Sequence, residues 1–112
     1  MDDIYEFVVN RFSSSSNVCI HRTQSEEMRY LFAESQFDWI YIDGDHGLGG
    51  VLSDLETSWR LVKPGGMIAV DDYYWKESDH SLSVKIGIQK FVERKNISQS
   101  WIIGDQFLFR RE

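Results

Sequence analysis

"FDWIYIDGDHGLGG", residues Phe37–Gly50, passes without a break from an apolar, aromatic run into two aspartates, a histidine and several glycines. The aromatic and β-branched residues of "FDWIYI" are those a strand prefers, so the acids begin where the strand ends. Beyond them Leu48, Val51, Leu52, Leu55, Trp59 and Val62 recur at helical spacing, the best amphipathic pattern in the chain. "KPGG" stops that helix with the only proline and two glycines. "MIAV" then reads as a short, wholly apolar strand of the kind found in parallel sheets covered on both faces. Strand, helix and strand from Phe37 to Val70 make a right-handed βαβ unit, so the two strands run parallel with their carboxyl ends on one edge.

The flanking segments extend the alternation. Ile4, Phe7, Val8 and Phe12 give Asp2–Phe12 helical spacing after acids suited to a helix start. "SSSSN" (residues 13–17) is a polar connector, and "VCIHR" (Val18–Arg22) alternates as a short strand. Thr23 with Glu26 matches a capping box for a helix to about Glu34 that buries Met28, Leu31 and Phe32. Val84, Ile88, Phe91 and Val92 predict a further helix, and "SWIIGDQFLFRRE" two strands about a Gly-Asp turn. The fold class this order predicts is α/β: a parallel, doubly wound sheet with helices on both faces and a C-terminal antiparallel hairpin, one domain over residues 1–112.

Composition narrows the function. The chain has 112 residues, 42% hydrophobic and 27% charged, ordinary for a globular domain. A net charge of −6 argues against a nucleic-acid or anionic-membrane surface, which needs a basic face. No apolar run approaches the ~20 residues that span a bilayer, and the acidic "MDDIYEFVV" is unlike a signal peptide. Cys19, the single cysteine, excludes an internal disulfide, and its apolar neighbours predict a buried, inert thiol. The expectation is a soluble, cytoplasmic protein. "NIS" (residues 96–98) matches a glycosylation acceptor without any sign of secretion, and Arg110 and Arg111 read as a solvated terminus.

The acids carry the chemistry. Asp43 ends the first strand of the βαβ unit, and Asp71 and Asp72 end the second, at the edge where open α/β sheets bind ligands. Carboxylates from neighbouring strand ends suit a hard divalent cation such as Mg²⁺, Ca²⁺ or Mn²⁺. His46, three residues past Asp43, has the neutral-range chemistry of a general base. Plainer readings stand beside these. Asp43 or Asp45 caps the following helix, the Asp71–Asp72 pair is simply solvated, and His46 bonds a neighbouring acid. Gly47, Gly49 and Gly50 give a tight turn and close helix packing.

"FDWIYIDGDH" followed by "DLETSWRLVKPGGMIAVDDYYW" resembles the second half of class I S-adenosylmethionine-dependent methyltransferases. More narrowly it is similar to the small-molecule O-methyltransferase group whose fourth strand ends in "IDGDH". The resemblance runs over essentially the whole chain. It implies a divalent metal, Mg²⁺ foremost, on Asp43, Asp71 and Asp72, with His46 as base. It implies cofactor contacts from the loop after the family's third strand, at Thr23, Gln24 and Ser25, and a substrate wall at Tyr73, Tyr74 and Trp75. The function implied is methyl transfer from S-adenosylmethionine to a hydroxyl of a small-molecule acceptor.

The family's glycine-rich cofactor turn and its ribose-binding acid have no counterpart, and "GDHGLGG" follows the wrong strand to replace them. The expected sheet is therefore a truncated Rossmann-like one, missing the family's first two strands. "FDWIYI" is then an unpaired edge, and such edges recruit partners. Either "VCIHR" moves over to pair with it, or a second chain does, as a homodimer or a complementing polypeptide. The alternative function is a non-catalytic half-domain that serves as a dimeric ligand- or partner-binding module. A third reading, the D-x-D phosphatase nucleophile, places Gly47 where that motif carries threonine or valine.

Overall fold

A computed structural model describes residues 2–44 and 46–112. In chain order the elements are α1 (Asp2–Phe12), a 3-10 turn (Ser25–Glu27), α2 (Met28–Leu31), β1 (Phe37–Ile42) and α3 (Leu48–Leu61). They continue as β2 (Val62–Val70), α4 (Ser83–Lys95), β3 (Ser100–Ile103) and β4 (Gln106–Arg110). One four-stranded sheet has the order β1-β2-β4-β3. β1 and β2 are parallel, as the βαβ reading requires, and β4 is antiparallel to both β2 and β3. The parallel register sets Ile42 opposite Val70, so Asp43 and Asp71 leave the sheet side by side.

Strand alternation directs Ile40, Ile42, Ile68, Val70, Phe107 and Phe109 to one face. There they meet Val51, Leu55, Val84, Ile88 and Phe91 of α3 and α4 in a single apolar cluster. Trp59 sits edge-on to Phe91 at 5.7 Å and stacks on Phe109 at 6.3 Å. Each fully buried side chain of this size contributes about 1.5–3 kcal/mol. The two helices approach closely because Gly87 has no side chain: a Cβ there would lie 2.9 Å from Val51 Cγ1.

"KPGG" is more than a helix stop. Val62 begins β2 instead of ending α3, and the β1–β2 register shifts between Phe37 and Trp39. At Gly66 a Cβ would come within 2.8 Å of the Asp38 carbonyl oxygen and 2.9 Å of that of Lys63. Only glycine permits this crossing.

Several expectations are corrected. Val18–Arg22 forms no strand and does not pair with β1, because the segment turns to set His21 edge-on to Phe32 at 5.3 Å. Cys19 is consequently exposed, not buried. The predicted helix over 23–34 is split into the 3-10 turn and one α-helical turn. Thr23 spends its hydroxyl on the Glu27 carboxylate (2.7 Å) instead of capping, and Leu31 is exposed. Gly49 meets open space, so close packing does not explain it. Arg111 is no solvated terminus: its Nη1 donates to the Trp59 and Val62 carbonyls (2.6 and 2.7 Å), which α3 leaves without helical partners.

Among the described residues, helices cover one sheet face and not both. On the other face Trp39, Tyr41, Trp101 and Ile103 are 55%, 41%, 44% and 63% exposed, and among the described residues α1 packs against no other helix or strand. No described helix is long and apolar enough to cross a membrane.

Candidate functional site

The parallel ladder runs one residue past β2: the Asp71 N–H donates to the Ile42 carbonyl at 2.9 Å. Asp72 then adopts left-handed backbone (φ 61°), which aspartate tolerates better than most residues. The turn ends the strand alternation, so two consecutive residues serve one point instead of opposite faces. Asp43, Asp71 and Asp72 each offer a carboxylate oxygen, all within 4.8 Å of one another. Three hard oxygen donors on a half-exposed rim are of the type divalent cations take, and exposed carboxylates also gather in this way without an ion. The hairpin turn braces this rim: the Tyr73 N–H donates to the Asp105 carbonyl and the Tyr74 N–H to its Oδ1, both at 2.9 Å.

His46 stands beside the cluster. Its Nε2 lies 2.8 Å from Asp72 Oδ2, and its ring stacks on Trp75 at 4.1 Å. The Ser83 hydroxyl donates to the His46 carbonyl at 2.6 Å, tying the start of α4 to the loop. The plain reading of His46 is what the geometry shows: it bonds a neighbouring acid, Asp72, which is a member of the cluster. Asp43 is not the cap of α3, whose N-cap is Gly47; Asp45 lies outside the described residues.

Tyr41 was missed by the sequence reading. It pairs with Ala69 across the ladder, and the small alanine leaves its phenol room to reach over β2, where Gln106 Nε2 donates to it at 3.4 Å. A hydrogen bond to Asp71, burial and the charges of Asp71, Asp43 and Asp72 push the phenol up to about 12.

A groove of about 360 Å³ runs along the free edge of β1 toward Asp43, lined among others by Ser25, Trp39, Tyr41, Gly44 and Asp54. Of the three expected cofactor contacts only Ser25 lines it; Thr23 bonds Glu27, and the Gln24 carbonyl accepts the Glu27 N–H. Of the expected substrate wall, Tyr73 is core, 3% exposed and stacked on Phe107 at 5.2 Å, whereas Tyr74 and Trp75 are open to solvent. Asp54 was also missed. Its signal was an acid on the buried stripe of α3, between Val51 and Ser58.

A parallel βαβ unit with an acid-rich carboxyl edge, extended by an antiparallel hairpin, defines part of a Rossmann-like methyltransferase fold. The family model of the methyltransferase domain matches residues 2–73, and the chain belongs to that family. Among solved structures it is similar to the O-methyltransferase NovP, with a TM-score of 0.53 and 18% identity over 69% of this chain. It is also similar to MycE, a methyltransferase from the mycinamycin biosynthetic pathway solved in complex with Mg and SAH, with a TM-score of 0.57 and 14% identity over 78% of this chain. The chain spans 30% of the length of NovP and 28% of that of MycE. No curated protein sequence matches it.

Proposed function

We propose that this chain takes part in S-adenosylmethionine-dependent methyl transfer to a hydroxyl of a small-molecule acceptor, assisted by a divalent cation, Mg²⁺ foremost. The observation that carries the reading is the convergence of Asp43, Asp71 and Asp72 at the carboxyl edge with His46 alongside. The three carboxylates would hold the cation, whose chemistry is to lower the acceptor hydroxyl's pKa and orient it. His46 takes the released proton; Asp72 holds its ring through Nε2, and Trp75 fixes the ring plane. Ser25, flanked by Thr23 and Gln24, lies at the β1-edge groove and is the first candidate for cofactor contact. The unpaired outer edge of β1 and the open apolar sheet face support a partner there, a second copy or a complementing chain.

The same open face favours a second reading, a non-catalytic half-domain that binds a ligand or partner chain. Following S-adenosylhomocysteine release from S-adenosylmethionine over a panel of small hydroxyl acceptors, in Mg²⁺ and in chelator, separates the two. Acceptor-dependent, Mg²⁺-dependent turnover supports the enzyme. Silence across the panel by a folded protein of known oligomeric state leaves the binding module.

A further inference from the structure

Asp54 is a carboxylate only 8% exposed in the apolar stripe of α3. Burying such a group is costly unless polar partners surround it, and two segments remote in sequence close around this one. Its Oδ1 accepts a hydrogen bond from the Ser25 hydroxyl at 2.7 Å. Its Oδ2 lies 2.8 Å from where a Cβ on Gly44 would sit, so the loop after Asp43 packs directly on the carboxylate. Ser25, Gly44 and Asp54 all line the β1-edge groove, with Asp43 at its end.

We infer that Asp54 is the positioning residue of this groove: one buried carboxylate fixes both the Ser25 turn and the Asp43–Gly44 loop, and so sets the groove's width and the placement of Asp43. Moving the carboxylate breaks its bond to Ser25 and opens its contact with Gly44 at once, so a shift of either segment is felt by the other through this one side chain. A side chain at Gly44 would crowd only the Asp54 carboxylate, the movable end of that side chain. An alanine would drive its Cβ into Asp54 and push the carboxylate off Ser25. The consequence for ligands rests on the proposed reading of the groove as the cofactor site and of Asp43 as a metal ligand; the strut itself does not.

The test is amide hydrogen exchange on the whole chain carrying Asp54→Ala, Gly44→Ala, Ser25→Ala and the Asp54→Ala/Gly44→Ala pair, with Mn²⁺ titrations of the same proteins. Asp54→Ala removes protection at residues 23–28 and 43–44 together while the β2–β4 amides keep theirs. Gly44→Ala does the same alone, yet adds little to Asp54→Ala because the obstructing carboxylate has gone. Mn²⁺ affinity falls about tenfold in each, the usual order for a lost supporting contact. Protection lost in only one of the two segments, or fully additive effects of the pair, would overturn the inference. Should Asp54→Ala not fold, Gly44→Ala and Ser25→Ala decide it: unchanged exchange at 23–28 in Gly44→Ala is fatal. Failure of the wild type to bind Mn²⁺ would count against the metal reading alone and leave the exchange result standing.

Discussion

Replacing Asp43 by asparagine should stabilise the metal-free protein and abolish its response to Mg²⁺. The three carboxylate oxygens lie within 4.8 Å of one another. Two unit charges at that separation repel by about 0.9 kcal/mol in water and by about 3.5 kcal/mol at an effective dielectric of about 20. Asp43 is exposed and its partners half-buried, so the lower figure governs, roughly 1 kcal/mol for each neighbour. Asparagine keeps the shape and removes the charge. Calorimetric melting in chelator should therefore show a rise of about 4 °C or more, since 1 kcal/mol is worth about that in a domain of this size. The gain should shrink in high salt, which screens exposed charges. Mg²⁺ at about a hundred times its Kd should add roughly 2.7 kcal/mol to the wild type and nothing to the variant. A variant that melts lower than wild type in chelator, or that keeps the full Mg²⁺ shift, would show that Asp43 neither repels its neighbours nor holds the cation.

Gly66→Ala should cost about 1–3 kcal/mol by urea unfolding, the range of overpacking, because the Asp38 and Lys63 carbonyls occupy the space; Gly49→Ala, facing open space, should cost nothing or stabilise the helix slightly. Phe91→Ala, fully buried against Trp59 and Phe109, should cost about 3–5 kcal/mol in the same assay. Absorbance titration at alkaline pH should show one of the five tyrosines lagging, near 12, and Asp71→Asn should bring it back toward the ordinary range. The fold favours the protonated phenol of Tyr41, so its contribution is complete below about 10 and is lost as pH rises through about 12.

The βαβ unit was legible because its signals are local and agree: an aromatic strand, an amphipathic helix and a proline-glycine break all within Phe37–Val70. The acid cluster followed from topology, since parallel neighbouring strands must end together. "VCIHR" misled because alternation says only that a segment suits a strand, not that an edge will receive it; Cys19 was misjudged with it. Arg111 looked solvated because its partners, the Trp59 and Val62 carbonyls where α3 passes into β2, lie some 50 residues away in sequence. The Ser25–Asp54 contact was hidden likewise by distance along the chain. Tyr41 was hidden by its ladder partner: only the register shows that Ala69 gives it room.

Whether this chain binds S-adenosylmethionine is decided by calorimetric titration of the cofactor into the purified protein, in Mg²⁺ and in chelator and at a concentration of known oligomeric state. Saturable binding at one site per chain or per dimer, weakened when the cation is withheld, is the expected result. No heat at high ligand concentration from a folded protein would contradict it.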